Sequence, residues 1–213
     1  MTRRNVTLVL VLSGLCYLTP LWEAVAGYPL NPQISFVSEL AARDQQWGWI
    51  FQLTDLVAAL LLGLGVSMIW RGRCGFTAIQ TLFSVALGVA AVGTIADVLF
   101  PMVCAESLPR CAAAYHAGDL PVSHSIHIVT SSIAVAGMTV AAAACLLQLR
   151  ISRHRPVMVV AALAASGVIA TLVGQGLLFA TGAPLGWMQR IHVIASAALI
   201  ATSPIVLQER RQS

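Results

Sequence analysis

The chain has 213 residues, of which 58% are hydrophobic and only 9% charged, with a mean hydropathy of +0.85, whereas a soluble domain carries roughly 25% charged residues. That composition excludes a water-soluble domain and predicts an integral membrane protein. The formal net charge of +4 does not indicate a nucleic-acid partner, because the arginines are split among short loops and form no patch interleaved with aromatics; they suit a topology signal and contact with anionic lipid head groups.

A hydrocarbon core about 30 Å thick needs ~20 mainly apolar residues per helix. Six stretches qualify, at about 5–27, 47–70, 75–101, 122–149, 156–181 and 185–207. The expected fold is all-α: a single transmembrane domain, residues 1–213, with six membrane-spanning helices and short connections that make neighbours antiparallel. The first stretch, "MTRRNVTLVLVLSGLCYLTPLWEAVAG", also imitates a secretory signal peptide with a small-residue site at Ala24–Ala26. An uncleaved helix is the expectation, because the apolar run is long and Trp22 and Glu23 suit a cleavage region poorly.

Between the first two spans, "NPQISFVSELAARDQQWGW" places Phe36, Val37, Leu40, Ala41 and Trp47 at roughly helical spacing, which predicts a short amphipathic helix lying in the membrane interface. The other long connection, "PMVCAESLPRCAAAYHAGDLPVS", is bounded by Pro101 and Pro121, residues suited to helix ends. Cys104 and Cys111 both fall in it, and in a bacterial inner membrane, the localisation expected here, that loop faces an oxidising compartment where disulfides persist. A Cys104–Cys111 bridge is expected, as a loop staple and not a redox couple, because the spacing is not C-x-x-C. Cys16 and Cys145 lie within spans and Cys74 in a short connection, where thiols serve as packing residues.

Orientation follows from the arginines, because positive loops stay in the cytoplasm. Arg3, Arg4, Arg71, Arg73, Arg150, Arg153, Arg155, Arg210 and Arg211 all fall on one side of the six spans, whereas Arg43, Arg110 and Arg190 face the other with seven of the eight acids. Both termini are therefore predicted to be cytoplasmic. Trp22, Trp47, Trp49 and Trp187 gather at the outer interface and Trp70 at the inner one, as an aromatic belt does.

The stretch "SHSIHIVTSS" opens the fourth span with His124 and His127 where lipid-facing residues would be apolar. Counting 1.5 Å per residue from the outer helix ends puts Asp55 roughly 12 Å deep, His127 roughly 9 Å, His124 about 4–5 Å, His192 roughly 10 Å, Arg190 about 7–8 Å and Asp97 about 6 Å. Glu23 falls at a similar depth in the first span. An ionisable side chain in hydrocarbon costs at least ~2.5–3.5 kcal/mol, so such residues face one another or a wet cavity. These positions predict an outward-facing polar pocket lined by Asp55, Asp97, His124, His127, Arg190 and His192, with Ser38 and Glu39 over it.

Three functions compete for such a pocket. In a metal-dependent hydrolase, His124, His127 and His192 would hold zinc and acidify its bound water. Asp97 would then act as base or ligand and Ser38 as a further catalytic group, with Arg190, Asp55 and Glu39 binding a lipid or other amphiphile. A b-type haem protein would ligate iron with paired histidines, yet the histidines lie at one edge with no second pair across the membrane. In the third reading the pocket is non-catalytic: Asp97 pairs with Arg190, Asp55 bonds a histidine or serine, and the protein binds membrane lipid or only holds its helix ends together.

Four segments, "FVSELAARDQQWGWIFQLTDL", "ADVLFPMVCAESLPRC", "SHSIHIVTSS" and "QRIHVIAS", together resemble the bacterial multi-pass membrane proteins grouped as domain of unknown function 998. The resemblance covers most of the chain and rests on F-P-M-x-C combined with S-H-x-x-H. It implies a membrane bundle and carries no settled activity. A looser similarity is to the alkaline ceramidase and adiponectin-receptor-like membrane hydrolases, whose zinc site would correspond by residue type to Ser38, Asp97, His124, His127 and His192. Those proteins have seven spans and an H-x-x-x-H motif, where this chain has H-x-x-H.

Overall fold

The computed structural model describes residues 3–71, 76–151 and 156–208, all helix or connection with no strand among them. Arg73, Cys74, Arg153, His154, Arg155, Glu209, Arg210 and Arg211 lie outside the described residues. The helices are α1 (Arg3–Tyr17), α2 (Thr19–Val25), α3 (Gly48–Arg71), α4 (Ala78–Leu99), α5 (Pro109–Ala117), α6 (Val122–Ile151), α7 (Pro156–Thr181) and α8 (Gly186–Gln208). Five of them are long and apolar enough to cross a membrane, and α1 with α2, bent by 52° between them, makes six if the pair counts as one span.

The bend has a local cause. Pro20 lies in the first turn of α2 and has no N–H to give to the carbonyl of Cys16, four residues back, so the ladder breaks there. The freed carbonyl is not left bare: the indole Nε1 of Trp22 donates to it at 3.2 Å. A single straight helix over 5–27 was the expectation; a buried-side hydrogen bond lost to proline makes it two.

Each span packs on the next in sequence, α1 on α3, α3 on α4, α4 on α6, α6 on α7 and α7 on α8, and α8 returns to α1. The six spans therefore form a closed ring in chain order, with α8 also touching α4 and α6. Six helical passes leave the start of α1 and the end of α8 at one end of the bundle, the terminal end. The connections 26–47 and 100–121 lie at the other, the capped end.

Lipid offers helices no hydrophobic reason to associate, so close backbone approach has to supply the contact. The α4–α6 seam does this with glycine: a Cβ on Gly93 would stand 2.7 Å from the backbone N of Ala134, and one on Gly137 2.6 Å from that of Ala90. Around the seam the core mixes alanines with larger side chains, among them Phe83, Leu87, Leu10, Leu199 and Ile200.

A second, smaller core sits under the cap and consists of Leu30, Val37, Leu40, Phe51 and Ala105. It corrects the reading of 36–47 as an interfacial amphipathic helix. Only Val37–Ala41 is helical, as a 3-10 turn, and its apolar side chains face the bundle, Leu40 being wholly buried. Glu39 is itself buried and accepts from the Phe36 N–H at 3.1 Å, which caps the start of the turn. In the other connection, residues Pro109–Ala117 form α5, and Cys104 and Cys111 are bonded with their Cα atoms 5.8 Å apart.

Candidate functional site

The ionisable residues do gather at the capped end, but they divide into separate groups. The first is centred on Arg190, near the start of α8 and 1% exposed. Its Nε donates to Glu23 Oε2 at 2.7 Å and its Nη2 to Glu23 Oε1 at 2.5 Å, a bidentate fork on a carboxylate that is fully buried. Nη1 donates to the carbonyls of Pro32 (3.1 Å), Ser35 (2.8 Å) and Gly186 (3.0 Å), and Nη2 also to the Ser35 hydroxyl (3.1 Å). Every guanidinium donor is thus engaged. The partner expected for Arg190 was Asp97; the structure gives it Glu23, and Arg190 ties the bent first span, the 27–36 connection and α8 into one knot. Gly186 makes the approach feasible, since a Cβ there would stand 2.7 Å from the Gln33 carbonyl carbon.

The second group is centred on Asp97, at the end of α4. Its Oδ1 accepts from the Thr130 hydroxyl at 2.5 Å and its Oδ2 from the Ser131 hydroxyl at 2.6 Å, both on α6. His127 Nδ1 lies 3.3 Å from Asp97 Oδ1 and 3.1 Å from the Phe100 carbonyl. Both neighbours are acceptors, so Nδ1 carries a proton, while Nε2 lies 3.4 Å from Ser131 Oγ. Asp55 is close enough to interact electrostatically with Asp97, and accepts from the Thr19 hydroxyl at 3.4 Å in place of the expected histidine or serine. Tyr17, hydrogen-bonded to Thr94, stands beside both carboxylates.

The third group belongs to the cap. His124 Nε2 is 2.7 Å from Glu106 Oε1, and its Nδ1 accepts from the Val103 N–H at 3.4 Å. Glu39 accepts from the Ser107 N–H at 3.0 Å and from the Ser107 hydroxyl, while the Ala105 N–H points to both oxygens of Asp44, 3.2 and 3.4 Å away. Ser38, beside Glu39, is half-buried. His192, apart from all of these, has Nδ1 2.9 Å from the Thr171 hydroxyl on α7.

These contacts bear directly on metal binding. A histidine ligates through a free nitrogen lone pair, and that of His124 is taken by the Val103 N–H. Among the described residues no group of three or more His, Cys, Asp or Glu side chains is arranged to hold a metal ion. The structure brings Asp97 and His127 together, with Asp55 nearby, and keeps His124, His192, Arg190, Glu39 and Ser38 in other groups.

Among the described residues, openings lie between neighbouring helices of the bundle at two places of note. The larger, about 460 Å³ between α3 and α4, is lined by groups such as Gly63, Ser67, Trp70 and Gly88 and carries no ionisable side chain. The other, about 400 Å³, lies between α2 and α8 and is walled by Leu18, Leu21, Tyr28, Trp187, Ile191 and Ile194, with Glu23 and Arg190 behind them. Tyr28 holds a φ of +54°, rare for a bulky residue, with its N–H bonded to the Glu23 carbonyl at 3.0 Å; the turn that ends α2 thereby holds an aromatic ring against the opening.

Of these partners, Thr130 and Ser131 were legible, since they follow His127 by three and four residues and so share its helix face. Glu23 carried no such signal, because 167 residues separate it from Arg190. The model of the family described as "Protein of unknown function (DUF998)" matches residues 10–203, whereas no curated protein and no solved structure matches the chain.

Proposed function

The chain belongs to the DUF998 family, whose description assigns no activity, and from that premise we propose that it is a multi-pass membrane protein that binds an amphiphile, a lipid of the leaflet at its capped end, in the opening between α2 and α8. The arginine distribution directs the capped end away from the cytoplasm. One observation carries the reading: the opening beside the kink is apolar along its walls and is backed by an ion pair with no free donor. Such a site takes an acyl chain and leaves its head group at Tyr28 and Trp187, where amphipathic rings suit the membrane–water boundary.

The test is lipid retention. Wild type and the pocket-filling variants Leu21→Trp and Ile191→Trp are purified in one detergent, and bound lipid is counted by native mass spectrometry. Several-fold loss of lipid in both variants, at unchanged thermal stability, is expected; equal retention overturns the reading.

A second reading, hydrolysis of a lipid or amphiphile, has one observation in its favour. Asp97, His127 and Ser131 stand in acid–base–hydroxyl order, the arrangement that activates a nucleophile, although Ser131 gives its hydrogen to Asp97 in this state. Turnover of ester-linked lipids, lost in Ser131→Ala and His127→Ala, would establish it. The zinc-dependent form predicts stoichiometric metal in purified protein that disappears in His127→Ala and His192→Ala.

A further inference from the structure

The disulfide between Cys104 and Cys111 closes an eight-residue ring, the two cysteines being seven apart, and this ring is where the cap is fastened. Three consecutive residues within it reach three different parts of the molecule. The Ala105 N–H meets Asp44, just ahead of α3. Glu106 meets His124, in the first turn of α6, at 2.7 Å. Ser107 meets Glu39, in the 3-10 turn, through both its N–H (3.0 Å) and its hydroxyl. Two of the side chains so covered, Glu39 and His124, are each 1% exposed.

No span is crosslinked by this bond. It ties the first turn of α5 to the residue just before the anchors and so holds 105–107 in a short loop that could otherwise move with α5. The two cysteines are unequal: Cys111 is 3% exposed, whereas Cys104 is partly exposed. An incoming thiolate therefore reaches Cys104 first.

We propose that the Cys104–Cys111 disulfide is a reversible lock on the cap, opened by a dithiol reductant acting from the capped side. One thiolate of the dithiol attacks Cys104 Sγ, forming a mixed disulfide, and Cys111 leaves as a thiolate that takes a proton from water. The second thiol of the reductant then attacks its own sulfur in the mixed disulfide, releasing Cys104 as a thiol. The protein disulfide gains two electrons and two protons in all, and the dithiol leaves as a disulfide. Opening the ring frees 105–107 from Asp44, His124 and Glu39, and gives water access to the start of α6, three residues from His127. The six spans, which carry none of these three contacts between themselves, stay closed.

The experiment uses full-length protein in detergent, with dithiothreitol as the dithiol and hydrogen–deuterium exchange as the readout. On reduction, amides of 105–107 and of the first turn of α6 are expected to exchange at least ten-fold faster while those within α3, α4, α7 and α8 keep their rates, and reoxidation restores protection. The double variant Cys104→Ser/Cys111→Ser is expected to show the opened pattern without dithiol. The proposal is overturned if the native disulfide resists dithiothreitol, if exchange at 105–107 stays unchanged after reduction, or if the spans lose protection together with the cap, which would make the bond a staple of the whole fold.

Discussion

Replacing Arg190 with Met tests the capped end most directly. The substitution leaves a buried carboxylate at Glu23 without its only described cation, a change that typically costs about 3–5 kcal/mol, and it also strands the carbonyls of Pro32 and Ser35. At about 2–4 °C per kcal/mol for a chain of this size, the thermal midpoint should fall by roughly 6–20 °C. Replacing both partners, Glu23→Leu with Arg190→Met, removes the unpaired charge, and a buried pair exchanged for apolar side chains is often near neutral. The double variant should thus be more stable than the Arg190 single variant, with only the stranded carbonyls left to account for its deficit. Tryptophan fluorescence melts of wild type, both single variants and the double variant in one detergent supply the cycle. A shift under about 2 °C for Arg190→Met, or strictly additive effects, would mean that the fork contributes nothing beyond its geometry.

Other expectations follow from the packing. Gly137→Ala pushes a methyl group against the α4 backbone and should cost about 1–3 kcal/mol, whereas Gly63→Ala, with nothing within 4 Å of the new Cβ, should be neutral or gain up to about 1 kcal/mol from helix propensity; paired melts of the two variants decide it. Asp97→Ala removes the acceptor of both the Thr130 and Ser131 hydroxyls and should lower stability by at least about 1.5–3 kcal/mol, the scale of one hydrogen bond to a charged group. Gly186→Ala should detach the 27–36 connection from α8, read as faster amide exchange at 31–35 with α3 and α4 unaffected; unchanged exchange there would contradict the close contact described at Gln33.

Much of the fold was legible because membrane spanning is a length-and-hydropathy property: the ends of α3, α4, α6, α7 and α8 fall within a few residues of the stretches read from composition. The kink was not, although Pro20 was in view, because proline in a membrane helix breaks it only when something else satisfies the freed carbonyl, and the Trp22 side chain that does so is a tertiary detail. The layer of ionisable groups could be read from depth counting, since each charge must avoid lipid. Depth alone does not give azimuth. Arg190 and Asp97 share a layer yet face different neighbours, and only the closure of the ring by α8 on α1 decides that Arg190 meets Glu23. Likewise Glu39 was foreseen over the pocket, but that its second oxygen accepts from Ser107, a residue of another connection, has no sequence signal.

Because the ring closes between its first and last spans, the order of biosynthesis matters to its chemistry. Glu23 enters the bilayer when the ribosome has made only the opening helix, and its counter-ion is synthesised 167 residues later. Until then every nascent form carries an orphan carboxylate in the membrane, at a cost of about 2.5–3.5 kcal/mol or more. Completion of α8 is therefore a checkpoint written into the polypeptide, and chains truncated before it should be the ones that membrane proteases recognise and clear.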